Sequence, residues 1–317
     1  MSLHLPNPFI PQRADPQIMR HKDHYYFIAS VPEYDRLELR AADSLMGLRE
    51  AEPVTLWEKD HSGPLSELIW APELHRIGQQ WVIYFAAAPG REIKEGLFQH
   101  RMYALVSDHD DPLVASQWQP PRRVRTPIDS FSLDATSFHH QGKNWYLWAQ
   151  KDPAIAGNSN LYLAELENPW TLKGPPVMLS KPEFEWECRG FLVNEGPAVI
   201  VHGGRLFVTY SASATDENYA LGLLWINEDA DLLNPDNWHK SADPVFTTSW
   251  ENQQFGPGHN SFTTDEQGQP LLVYHARNYT EIEGDPLWDP NRHTRIKPFA
   301  WRADGMPDFG VPPADSP

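Results

Sequence analysis

A five-fold internal repeat constrains this chain more than any other feature. Each unit is a turn with a polar or acidic residue, an apolar strand, a short hairpin and an aromatic strand. The first unit reads Ala14-Asp15-Pro16-Gln17-Ile18, then Tyr25-Tyr26-Phe27-Ile28. The second is Trp70-Ala71-Pro72-Glu73-Leu74, then Trp81-Val82-Ile83-Tyr84-Phe85. The third is Leu133-Asp134-Ala135-Thr136, then Trp145-Tyr146-Leu147-Trp148. The fourth is Asn194-Glu195-Gly196-Pro197-Ala198, then Leu206-Phe207-Val208-Thr209-Tyr210. The fifth is Gly258-His259-Asn260-Ser261-Phe262, then Leu271-Leu272-Val273-Tyr274.

The anchors recur roughly every 60 residues. A third strand-like run follows each hairpin: Arg36 to Arg40, Arg101 to Ser107, Asn160 to Leu166, Tyr219 to Ile226 and Thr294 to Trp301. A short fourth strand can be drawn after several of them, and no amphipathic helix competes. The pattern predicts an all-β chain, a five-bladed β-propeller spanning residues 1–317 as one domain. A two-sheet sandwich uses similar hairpins, but the long regular period disfavours it. The Pro- and Asp-rich tail, Pro307 to Pro317, is expected to fray.

The net charge of -17 argues against phosphate backbones and anionic lipid as partners. No apolar stretch approaches the length of a membrane span. The lone cysteine, Cys188, rules out an intrachain disulfide framework, and no zinc-ligand spacing is present. The start, Met-Ser-Leu-His-Leu-Pro-Asn-Pro, lacks a basic region followed by an apolar run. It is read as carrying no secretory signal, so a cytoplasmic protein is expected.

In a propeller the innermost strand of every blade begins near the axis, so equivalent positions meet at one mouth. Asp15, Asp134 and Glu195 are expected to hold that position in the first, third and fourth units. Each acid adjoins an apolar strand, where a buried charge is costly unless it is paired or used. Three converging carboxyls also raise at least one pKa, which suits a general acid. Against this, Asp is a common turn former, a reading that competes for Asp15 and Asp134 and is weaker for Glu195.

Arg13-Ala14-Asp15-Pro16, Trp70-Ala71-Pro72-Glu73, Leu133-Asp134-Ala135, Asn194-Glu195-Gly196-Pro197, Gly256-Pro257-Gly258-His259-Asn260 and Tyr274-His275-Ala276-Arg277 together resemble glycoside hydrolase family 43. That family comprises arabinofuranosidases, arabinanases and β-xylosidases. The resemblance covers essentially the whole chain. It implies a five-bladed propeller and hydrolysis with inversion. It implies Asp15 as general base, Glu195 as general acid, and Asp134 as the acid that raises the pKa of Glu195. An inverting pair needs its two carboxyls roughly 6.5–9.5 Å apart to admit water. Arg277 resembles the family's active-site arginine, although a blade-surface ion pair is the competing role. Trp70 is expected to wall the sugar pocket or to pack between blades. His259 lies where the axis would pass, and the resemblance allows a central calcium beside it. A buried, hydrogen-bonded histidine without metal is the commoner outcome. Arg292, His293 and Arg295 lie near the expected mouth, to reach substrate or to offset the acidic surface.

The expected activity is an exo-acting α-L-arabinofuranosidase that releases terminal arabinofuranose from small oligosaccharides and needs no cofactor. The loops Ile93 to His100, Ser180 to Glu187 and Trp250 to Gly256 are expected to wall a pocket. β-Xylosidase, endo-arabinanase and a non-catalytic sugar-binding propeller are the alternatives.

Overall fold

The computed structural model describes residues 5–317. Residues 1–4, the start of the segment read above for a leader, lie outside the described residues. Five antiparallel meanders form five blades. Blade I runs through Ala14–His21, His24–Ser30, Arg36–Ala42 and Val54–Glu58. Blade II comprises Glu67–Ile77, Gln80–Ala88, Arg101–Ser107 and Arg122–Arg123. Blade III comprises Ser132–His140, Lys143–Gln150, Asn160–Asn168 and Thr171–Ser180. Blade IV comprises Asn194–His202, Arg205–Ala212, Ala220–Asn227 and His239–Lys240. Blade V comprises Phe255–Thr264, Pro270–Arg277 and His293–Pro298. Helix among the described residues is confined to short 3-10 turns.

Apolar layers fill the spaces between blades. Tyr26, Ile28, Leu37 and Leu39 of blade I pack on Trp81, Ile83 and Phe85 of blade II. Both faces of a middle strand therefore meet protein. In Gln80–Ala88 every residue after Gln80 is buried, which explains the incomplete polar alternation in the sequence.

The ring closes between blades V and I. Phe9 and Ile10 join Ile18 and Phe27 of blade I and Leu271, Val273 and Ile296 of blade V in one cluster. Ile10 bridges Thr294 on the outer edge of blade V, so the N-terminal segment completes that blade. The Asn7 side chain adds a paired contact: its amide donates to Ile296 O and its oxygen accepts from Ile296 N, both at 2.9 Å. Burying Phe9 and Ile10 contributes about 1.5–3 kcal/mol each.

The tail is docked rather than frayed. Pro307–Asp308 pairs with Ala300–Trp301, and Phe309 is buried among Phe262, Phe299 and Trp301. Asp315 pairs with the buried Arg295. Apolar burial and this ion pair override the Pro-rich composition.

One backbone device recurs in all five inner strands. Each pairs irregularly with its neighbour near its start, at Ala14/Gln17, Trp70/Glu73, Leu133/Thr136, Glu195/Ala198 and Gly258/Ser261. Within each bulge one residue is left-handed: Asp15 (φ 55°), Ala71 (φ 46°), Asp134 (φ 52°), Gly196 (φ 54°) and His259 (φ 44°). A bulge bends its strand and re-aims side chains. For the non-glycine residues this conformation costs about 1–2 kcal/mol each. Here it carries Asp15, Asp134 and His259 to one end of the axis.

Candidate active site

The bulged ends surround a cavity of about 290 Å³. Its polar lining includes Asp15, Asp134, Glu195, Tyr219, His259 and Arg292, and its apolar walls include Trp70, Phe98, Phe131, Leu133, Phe191 and Leu287. The three acids thus converge, with one correction to their register. Asp15 and Asp134 occupy the left-handed slot, whereas in blade IV that slot belongs to Gly196. Glu195 lies one residue earlier, equivalent to Trp70 and Leu133, and reaches the cavity from there. Space rather than φ favours Gly196, since the other four slots hold non-glycine residues: a Cβ would come 3.0 Å from the His259 ring.

Asp15 is fixed on both oxygens. Ser30 Oγ donates to Oδ2 (2.6 Å) and itself accepts from the Ala71 N–H (2.8 Å). Oδ1 stands 3.2 Å from His259 Nδ1 and 3.6 Å from Arg292 Nη1. Burial opposes ionisation, but the charges of His259 and Arg292 outweigh it, and the carboxyl is held well below its usual range. His275 Nδ1 is also close to Oδ1, at 3.4 Å. That nitrogen accepts the Asp15 backbone N–H at 3.0 Å, so it carries a lone pair. Burial, together with the nearby Arg292 charge, keeps this imidazole neutral, so the contact is not an ion pair.

Asp134 Oδ2 accepts the Gly196 N–H at 3.0 Å and lies 3.6 Å from His259 Nδ1. Burial raises its pKa, and the Asp15 charge adds to the rise. Glu195 Oε1 accepts from Tyr219 Oη at 2.9 Å. Burial, and next the Asp134 charge, push its carboxyl up to about 8. At neutral pH the cavity therefore holds an ionised Asp15 and a protonated Glu195.

His259 stands between the two aspartates. Burial opposes its charge, yet the Asp134 and Asp15 carboxylates outweigh burial and raise its pKa to about 10. Nδ1 is already engaged by two carboxylates, so a cation beside this ring would have to meet its other nitrogen. Among the described residues, no three His, Cys, Asp or Glu side chains converge as a metal ligand set.

The remaining expected residues divide. Trp70 lines the cavity and stacks on the buried His100 ring at 3.8 Å, with Phe98 edge-on. It thus serves as wall and as packing. Arg277 does not line the cavity. Its guanidinium is buried between Asp289 (3.1 Å), Thr215 O (2.6 Å) and Pro286 O (2.8 Å), where it ties loops together. Arg292, expected only near the mouth, lies beside Asp15 and donates to Tyr34 Oη at 3.1 Å. Arg295 is buried against Asp315 and Ala276 O, and His293 accepts from Gln12 N. Of the three expected loops, only Ile93 to His100 contributes lining residues. Other loops contribute Asn158, Phe191, Ser213, Thr215, Asp285 and Leu287.

Tyr219, Ser30 and His275 were not singled out as site residues. Tyr219 comes from the loop edge of a third strand and Ser30 from the end of a second, so neither stands at the repeat anchor. His275 was visible only as part of the Tyr274–Arg277 motif.

The sequence profile of glycosyl hydrolases family 43 matches residues 5–307. The chain belongs to glycoside hydrolase family 43. A solved family structure, an α-L-arabinofuranosidase from Lactobacillus brevis, superposes with a TM-score of 0.97 at 57% identity, covering 98% of both chains. A Streptomyces avermitilis protein named extracellular exo-α-(1→5)-L-arabinofuranosidase is 51% identical over 98% of this chain. The chain spans 64% of that relative's length. A Streptomyces chartreusis protein of the same name is 48% identical over 88% of this chain and 84% of its own. These two names overturn the expectation of a cytoplasmic family member. The missing leader pattern did not support that expectation, because a leader is a separate segment that the catalytic fold does not encode.

Proposed function

We propose that this family 43 chain is an exo-acting α-L-arabinofuranosidase that works with inversion. The observation that carries the reading is the pairing of an ionised carboxylate, Asp15, with a protonated one, Glu195, in a single small cavity. Acid and base roles require carboxyls whose environments separate their pKa values.

In the proposed reaction Asp15 accepts a proton from water as the water oxygen bonds to the anomeric carbon. The bond from that carbon to the leaving oxygen breaks, and Glu195 delivers its proton to that oxygen. Asp134, charged or sharing its proton, keeps Glu195 protonated. Arg292 and His259 hold Asp15 ionised. The cavity's volume, about 290 Å³, suits one terminal sugar ring, and the apolar rim suits the weakly polar face of the next. The relatives' names support arabinofuranose in 1→5 linkage, and support action outside the cell.

The test is hydrolysis of linkage-defined arabino-oligosaccharides and aryl xyloside, with products followed by NMR. Release of single β-configured arabinose from 1→5 linked substrate is the expected result. Retained configuration, preference for xyloside, or internal cleavage would overturn the respective part. Complete inertness, with the fold intact, would favour a sugar-binding protein.

A further inference from the structure

We propose that Tyr219 is a positioning residue which, through a one-way hydrogen-bond relay, confines the transferable proton of Glu195 to Oε2. The relay rests on the proposed role of Glu195 as acid. It begins at a donor that cannot reverse: the His259 backbone N–H, which donates to Ser211 Oγ at 2.7 Å. Ser211 is fully buried, and its hydroxyl neighbours the Tyr219 phenol as a donor that lowers the phenol pKa. Having accepted from His259, the serine hydroxyl turns its own hydrogen toward Tyr219 Oη. The phenol hydrogen is then left for Glu195 Oε1, at 2.9 Å. Each link has its direction set by the one before it.

The consequence for Glu195 is chemical. An oxygen that accepts the phenol hydrogen is a poor seat for a second proton. The acid proton therefore sits on Oε2, the oxygen free to meet a leaving group. When that proton departs, the phenol continues to donate to the carboxylate that remains, a stronger bond than before. Tyr219 thus favours the product side of the transfer.

The fold spends several features on holding this ring. It stacks nearly parallel on the neutral His275 ring at 5.6 Å. Gly258 lies against its other side, where a Cβ would stand 2.3 Å from the ring. Burial, and next the charges of Glu195, Asp134 and Asp15, hold the phenol protonated, so it remains a donor. The groups facing Glu195 are Asp134, Tyr219, His259 and Asp15, and Arg292 faces Tyr219.

The experiment uses Tyr219→Phe and Ser211→Ala. Each is compared with wild type by carboxyl-carbon NMR titration of protein carrying labelled glutamate. The Glu195 signal is assigned by its loss in Glu195→Gln. This readout needs no substrate, so it stands apart from the proposed activity. Removing the phenol should raise the Glu195 midpoint by about one pH unit, the usual weight of a hydrogen bond to a charged group. Ser211→Ala should move it the same way by less. With arabino-oligosaccharides, kcat of Tyr219→Phe should fall about tenfold, with KM within about twofold. An aryl arabinofuranoside with an acidic phenol should lose much less. A Glu195 midpoint unmoved or lowered in Tyr219→Phe would overturn the proposal. An equal loss of kcat on both substrate types would overturn it as well. If wild type hydrolyses neither substrate but the midpoint still rises, the functional reading fails and the relay stands.

Discussion

Replacing Glu195 with glutamine should stabilise the protein while disabling it, and the gain should grow with pH. An unfolded glutamate titrates near 4.5, whereas native Glu195 titrates near 8. Between those values the native state binds the proton more tightly than the unfolded chain. Stability is therefore highest below 4.5 and falls as pH rises toward 8. At about 1.4 kcal/mol per pH unit, the loss at pH 7 is about 3 kcal/mol. Glu195 keeps partial contact with cavity water, so solvent screening should reduce this to about 2 kcal/mol. Glutamine has no proton to lose, and its oxygen can still accept from Tyr219. The variant should match wild type near pH 5 and exceed it at pH 7 by about 3 °C in Tm. The assay is paired thermal or urea unfolding across pH 5 to 8, followed by near-ultraviolet dichroism. Activity on oligosaccharides should fall at least a hundredfold in the same variant. Unfolding curves that run parallel across that pH range would refute the reasoning.

Asp15→Asn should behave oppositely, leaving the charges of His259 and Arg292 without their buried partner. It should lose about 3–5 kcal/mol of stability, measured by urea unfolding, and at least a hundredfold in kcat. Asp134→Asn removes a charge that raises the Glu195 pKa; the alkaline limb of the kcat/KM–pH profile, set near 8 in wild type, should move to lower pH. Phe9→Ala should cost about 3–5 kcal/mol by opening the seam between blades I and V, read as a lower denaturant midpoint with little change in KM at low temperature.

Much of the fold was legible because a propeller repeats its own sentence. The five anchors located the inner strands, and the aromatic runs located the second strands. The inner-strand bulges were less legible. Asp15 and Asp134 read as turn formers or as chemistry, and the left-handed slot shows why both readings had force: the residue is bent and faces the cavity at once. Glu195 resembled them in register but uses the preceding position, because Gly196 must lie flat against His259. Arg277 and Arg292 could not be told apart from sequence. Which arginine faces the cavity depends on where the 285–289 loop folds back, and Asp289 captures Arg277. Tyr219 was invisible because third strands supply no repeat anchor near the axis. The tail was misread because composition alone cannot show that Asp315 finds Arg295.

The seam between the first and last blades has a bearing on whether this molecule is competent. Asp15 is supplied early in the chain, but the cations that ionise it, His259 and Arg292, belong to the final blade. Without that blade, Asp15 lacks both of these counterparts. The proposed base is thus completed only by contacts that close the circle, and opening the seam should cost turnover along with stability.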